Sequence, residues 1–153
     1  MRRKDKEILD KELIGKILAE AEIVRIAMCD GTEPYLLPMH YAYLDGCIYI
    51  HSAKEGRKID VLTKNNRVAF QTDTGIELVV NEDACMCGPK YLSVFGTGNT
   101  YFVDDKEVKT RALDAIMIKY TGRVGFKYPE KAFEQTLIIK IEIDFLSGKK
   151  SGY

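Results

Sequence analysis

Residues capable of chemistry concentrate in the run IHSAKEGRKID at 50–60. A stretch of strand character ends at His51-Ser52, and Gly56, Arg57 and Lys58 arrive as helical spacing begins. Helix starts expose unpaired backbone N–H groups at the positive end of the peptide dipoles, so an anion is favoured there. Ser52 can add a hydroxyl donor, Arg57 a two-pronged grip on phosphate oxygens, and Lys58 a compact charge. Gly56 lets the backbone come close to a ligand. Types in this order describe a phosphomonoester site; the bland alternative is a solvated helix start with ordinary surface cations.

The two histidines, His40 and His51, fall on adjacent strands of one predicted hairpin. They could bind a metal, or His51 could serve as acid, base or haem ligand. With no third ligand or carboxylate partner in view, the simpler expectation is that they line a slot and no metal is bound. Cys85 and Cys87 form C-x-C, but Cys29 and Cys47 do not supply the second knuckle of a structural zinc site. No G-x-S-x-G, Walker loop or dinucleotide G-x-G-x-x-G is present, and FGTGNT at 95–100 lacks the Gly-Lys of a phosphate loop. No protein side chain is singled out as catalytic.

Several elements must position these groups. Residues 10–21 carry Leu13, Ile14, Ile17, Leu18 and Ala21 at helical spacing behind Asp10, a natural N-cap. A strand is predicted over 22–29, then a hairpin in which 35–44 turns through Asp45-Gly46 into 47–52. Both faces of 35–44 are largely apolar, which calls for cover on both sides, and Pro38 argues for an edge or a break. A short helix follows at 56–65, then strands at 67–74 and 76–81 around Gly75. A long strand at 90–103 is interrupted by two glycines, where it could bend or bulge. Asp104 with Glu107 makes a capping box for a helix ending near Gly122, and 136–145 alternates cleanly as a last strand. About six strands joined by short turns, with helices at three places, predict a mainly β, mostly antiparallel barrel with peripheral helices.

Composition narrows the classes. The 153 residues suit one domain spanning 1–153, with the helix at about 10–21 and a flexible polar tail at about 147–153. Lys+Arg and Asp+Glu are equal at 23 each, so the basic excess of a general nucleic-acid binder is missing. The charged N-terminus precedes no signal-like apolar stretch, and no run is long enough to span a bilayer. A soluble cytoplasmic protein is expected, with no nucleic acid and no membrane among its partners.

The order LPMHYAYLDGCIYIHSAKEGRKIDVLTKNNRVAF resembles the opening strands of the pyridoxamine-phosphate oxidase-like, FMN-binding split-barrel proteins. CGPKYLSVFGTG is similar to the second signature of their nitroimidazole-resistance-type branch, and the likeness extends from about Ile23 to Phe145. The resemblance implies a six-stranded antiparallel split β-barrel with FMN as cofactor. It implies that Ser52, Arg57 and Lys58 hold the FMN phosphate, that Pro38, Met39, His40 and Tyr41 lie along the isoalloxazine, partly through backbone groups, and that His51 and Ala53 flank the phosphate and ribityl chain. It also implies a homodimer with the flavin at the subunit boundary, where Ser93 or a neighbour could approach from the second subunit. The implied activity is reduction of a small acceptor, nitroaromatic or quinone-like, with a nicotinamide donor; the alternative is a non-catalytic haem or flavin carrier or sensor on the same barrel. Leu36 stands where the oxidases carry an FMN-binding arginine, and their arginine-bearing substrate segment is absent from the tail, so pyridoxamine-phosphate oxidase activity itself is not expected.

Overall fold

The computed structural model describes residues 3–153. Its elements run β1 (Glu7–Ile8), α1 (Lys11–Glu20), β2 (Val24–Asp30), β3 (Glu33–Met39), β4 (Tyr41–Leu44), β5 (Cys47–Ala53), α2 (Arg57–Lys64), β6 (Arg67–Val79), β7 (Gly88–Val103), α3 (Lys106–Thr121), α4 (Glu130–Gln135) and β8 (Thr136–Ser151). Every ladder is antiparallel. The sheet reads β3-β2-β6-β7-β8-β5-β4, with β1 paired to the far end of β8.

That order explains the apolar segment 35–44. It is two strands, β3 and β4, separated by His40 alone, yet these strands are the two edges of the sheet. A single residue spans two Cα steps, about 7.6 Å. The two edges therefore lie side by side, and the sheet curls into a barrel whose seam is crossed by the chain rather than by a ladder. Pro34 and Pro38 sit on the edge strand β3, where a missing N–H costs no central pairing. The following hairpin closes as the sequence requires: Asp45 and Gly46 both adopt positive φ, and Leu44 pairs with Cys47.

One core lines the curled sheet. Val24, Ile26, Ile48, Ile50, Phe70, Val94, Ile139 and Ile141 are buried together with Ile14, Ile17 and Leu18 of α1 and Val61 and Leu62 of α2. A second, smaller cluster puts Ala112 of α3 against Tyr49 and Ile138, so β5 and β8 are covered on both faces. Asp10 and Asp105 cap α1 and α3, each accepting two backbone N–H bonds. The cap of α3 is thus Asp105 rather than the expected Asp104, one residue later along the same acidic pair.

Four expectations differ from the structure. Among the described residues the strand count is eight, partly because 35–44 divides and β1 is added. Residues 67–74 and 76–81 are one strand, β6, with a register shift between Thr74 and Glu77 that absorbs Gly75. The segment 147–151, expected as a flexible tail, continues β8 and pairs with both β7 and β1. A fourth short helix, α4, is also present, and its C-terminal carbonyls at Phe133 and Thr136 accept hydrogen bonds from the buried Lys109 ammonium. The glycines of β7 behave as read. A Cβ at Gly96 would meet the Phe70 ring at 2.3 Å, and one at Gly98 would meet the Glu142 carbonyl oxygen at 2.3 Å, beside a bulge between Thr97 and Gly98. Among the described residues, no helix is long and apolar enough to cross a membrane.

Candidate functional site

The seam at His40 is held from outside by the last turn of α3. The Tyr41 backbone N–H donates to Tyr120 Oη at 3.0 Å, and Tyr120 Oη donates to the Glu22 carbonyl at 2.5 Å. One phenol therefore ties the start of β4 to the residues leading into β2, on the two sides of the opening. The His40 ring rests against the Tyr120 ring, with centroids 4.6 Å apart. Tyr41 points the other way: its side chain is fully buried and donates to the Leu18 carbonyl at 2.6 Å, and burial pushes its hydroxyl up to about 12. Over the Tyr41 ring, 3.4 Å from its centroid, lies the Lys119 ammonium. Among the described residues that nitrogen is buried without a hydrogen-bond partner, and desolvation brings Lys119 down to about 8, offset by attraction to the ring face.

The second half of the site comes from the end of β5 and the start of α2. His51, Ser52 and Ala53 pair with Ile138, Leu137 and Thr136 of β8, which fixes their register beside the sheet edge. Gly56 has φ 110° and ψ 168°, a backbone conformation that a side chain would strain, and it delivers the chain into α2. Unlike α1 and α3, α2 has no side-chain cap on its first turn, so N–H groups there stand open to a ligand oxyanion. Lys58 reaches back over β3, its ammonium 3.9 Å from the Met39 sulfur. Burial holds the His51 imidazole below its ordinary range, and electrostatic interaction with His40 and Lys58 lowers it further. The protein thus disfavours the protonated form of His51, next to a lysine whose own ammonium is disfavoured by burial.

Met39, His40, His51 and Lys58 are therefore gathered at one place, with Ser52 and Ala53 directly following on β5. Pro38 is exposed on the outward face of β3. Arg57 departs from the expectation of a shared grip with Lys58. Its guanidinium pairs with Asp30 at 3.2 Å and lies 4.7 Å over the Tyr35 ring, at the opposite end of β3 from Met39. Tyr41 can offer little to a ligand directly, since its ring is in the core and its N–H is already taken by Tyr120. Ser93 is not near this group within one chain. It lies on β7, two strands from β5, and lines a cleft of about 320 Å³ with Gln71, Asp73 and Tyr91.

Sequence reading missed Tyr120 and Lys119. Their partners are 79 and 78 positions away, and nothing in the helical spacing of 104–122 distinguishes them from surface residues. Among the described residues no group of three or more His, Cys, Asp or Glu could hold a metal ion. Cys85 and Cys87 are free and exposed, with the Cys87 sulfur accepting the Asn81 N–H at 3.1 Å.

Comparison with known proteins places this geometry in context. Residues 10–150 match the family described as pyridoxamine 5′-phosphate oxidase. A candidate 5-nitroimidazole antibiotic resistance protein from Bacteroides thetaiotaomicron superposes with a TM-score of 0.84 at 32% identity, covering 94% of this chain and 86% of that one. A flavocytochrome from Azotobacter vinelandii gives 0.83 at 18% identity, over 100% of this chain and 72% of that one. A FAD-binding protein from Mesorhizobium loti gives 0.70 at 24% identity, over 94% and 96%. Among curated proteins, an uncharacterized protein of Rhizobium meliloti is 30% identical over 64 residues, a match spanning 42% of either chain.

Proposed function

Since this chain belongs to the pyridoxamine 5′-phosphate oxidase family, we propose that it binds the FMN unit of a flavin at the barrel seam and acts as a flavin-dependent oxidoreductase. The observation that carries this reading is the convergence of Lys58, His51, His40 and Met39 beside the uncapped start of α2. A flavin is a flat apolar ring with an anionic tail, and needs an apolar slot with one anion site. The residues fit. Ser52, Lys58 and the open N–H groups of α2 would take the phosphate, and Met39 with the two imidazoles would border the ring system.

Bound there, the flavin supplies hydride and single-electron transfer; the chain supplies position. Lys58 neutralises the phosphate, and neutral His51 offers one donor and one acceptor without adding charge. Tyr120 fixes His40 and the seam, and α1 closes the core beneath. The donor would be a nicotinamide and the acceptor a small nitroaromatic or quinone-like molecule.

The reading includes a second copy of the chain. His40 and Pro38 are exposed, and the outer sheet face carries Leu36 at 59%, Phe95 at 45% and Phe145 at 52% exposure. Leu36, Ala27 and Ala69 stand in one cross-strand row on that face, bordering a cleft of about 200 Å³. A homodimer buries this surface and brings a second subunit over the flavin, with Ser93 among the residues that could complete it.

The test is a visible absorption spectrum of the purified chain after incubation with FMN and gel filtration. Retained flavin bands are expected, followed by turnover of nitroaromatic and quinone acceptors with NADH or NADPH. A Soret band would move haem carriage through His51 to the front, and no retained flavin would overturn the proposal.

A further inference from the structure

Cys85 and Cys87 take no part in the group gathered at the seam, and both thiols are free and exposed. They sit in the loop that joins β6 to β7, just beyond the rung Val79–Gly88. A tetrahedral metal would need two further ligands there, and among the described residues no group of three or more His, Cys, Asp or Glu supplies them. The chemistry left to two thiols one residue apart is chemistry with each other.

The loop is built around one of these sulfurs. Cys87 Sγ accepts the Asn81 N–H at 3.1 Å, and its own S–H donates to the Asn81 carbonyl at 3.2 Å, with the Asp83 carbonyl 3.8 Å away. As a thiol it is both donor and acceptor, and it pins the two ends of the loop together. The Cys85 sulfur makes no hydrogen bond among the described residues and stands open to a reagent. Between them lies a single 3-10 turn, Ala84–Met86, held by the Met86 N–H on the Asp83 carbonyl at 2.9 Å and the Cys87 N–H on the Ala84 carbonyl at 3.2 Å. Residues two apart are separated by less than two Cα steps of about 3.8 Å, and disulfides span about 4.4–6.8 Å between Cα atoms. Unwinding that one turn therefore lets the sulfurs meet. Cys29 and Cys47 have no such neighbour: Cys29 lies opposite Pro34, and Cys47 lies between Leu44 and Glu142.

We propose that Cys85 and Cys87 form a thiol–disulfide exchange site for small-molecule disulfides, and that its closure to an intrachain bond unpins the loop between β6 and β7. The Cys85 thiolate attacks one sulfur of the small disulfide, whose S–S bond breaks and releases one thiolate, leaving a mixed disulfide on Cys85. Cys87 then attacks the Cys85 sulfur and expels the second thiolate. Two S–H bonds of the protein are lost and one S–S bond forms; the small disulfide takes up the two electrons and two protons as two thiols. The Asn81 N–H loses its acceptor, and Val80 and Met86, both largely exposed, are carried on a loop no longer held by its sulfur. None of this depends on the flavin reading.

The experiment uses oxidised glutathione as the probe on the purified chain, followed by acid quenching, intact mass and peptide mapping. The parent is expected to lose two hydrogens with no glutathione retained, the bond mapping to Cys85 and Cys87, and dithiothreitol to reverse it. Cys87→Ser should stop at one glutathione on Cys85, and Cys85→Ser should react about tenfold more slowly. In hydrogen exchange, the Asn81 amide should exchange about tenfold faster in the oxidised form than in the thiol form. Glutathione that persists on the parent, bonds between chains, or reaction at Cys29 as fast as at Cys85 overturns the exchange site. An Asn81 amide that exchanges equally in both forms overturns the unpinning.

Discussion

Arg57 and Lys58 are consecutive in the chain but serve different neighbours, because a side chain moves about 100° around a helix with each step. Lys58 turns to Met39 and the histidines; Arg57 turns to Asp30 and Tyr35. Their substitutions should therefore separate. Lys58→Ala is expected to weaken flavin phosphate binding by about 1.5–3 kcal/mol, the worth of a charge-assisted hydrogen bond, or roughly ten- to a hundred-fold in Kd. Arg57→Ala, losing a largely exposed ion pair, should cost about 0–1 kcal/mol of stability and far less affinity. Equal losses of affinity in the two variants would show that Arg57 swings to the phosphate on binding. His51 gives a pH signature. Its folded pKa is depressed, so the unfolded chain takes the proton first as pH falls below the usual imidazole range near 6.5. Its contribution is absent above that range and destabilises the fold as pH drops through the folded value. Thermal unfolding of His51→Gln should accordingly lose less Tm than the parent between pH 7.5 and 5, and parallel curves would contradict the assignment.

The elements show where local pattern is enough and where it is not. Helix α1, the Asp45-Gly46 hairpin and the alternation in β8 follow from nearest-neighbour rules of spacing and turn chemistry, and each was legible in the chain. So was the glycine-marked irregularity of β7, which yields a direct test. Gly98→Ala would drive a methyl into the Glu142 carbonyl and should destabilise by about 1–3 kcal/mol in urea unfolding, whereas Gly88→Ala, with open space around it, should be near neutral. Similar midpoints for the two variants would mean that the β7–β8 ladder shifts to make room. The division of 35–44 was not legible beyond the hint in Pro38, because apolar cover on both faces is equally served by one buried strand or by two edges. Only the ladder order decides, and that depends on pairing partners as far apart as Cys47 and Glu142. The same holds at the site. His51, Ser52 and Lys58 could be named from a contiguous motif, while Tyr120 reaches the seam from the far end of α3.

For the molecule as a whole, the proposed homodimer would cover the apolar outer sheet face and complete the site at the seam. Sedimentation of the protein is expected to give a dimer, twice the 17.4 kDa of one chain. Phe95→Glu with Phe145→Glu should yield a monomer that has lost most of its flavin, since it forfeits both the apolar face and the second wall of the groove. A monomeric parent that binds flavin fully would show that the groove needs no partner.

The ladder order also carries a consequence for synthesis. Strand β8 pairs with β1, β5 and β7, and it is the last of these strands to be made. Until it emerges, β5 has a bonding partner on only one side, and Ile48 and Ile50 have no Ile139 or Ile141 to close over them. At roughly 5–20 residues per second, that wait lasts on the order of ten seconds on the ribosome. During it the β4–β5 hairpin is an apolar template that a neighbouring nascent chain could capture. Yield in a cell should then depend in part on holding this hairpin apart until β8 emerges.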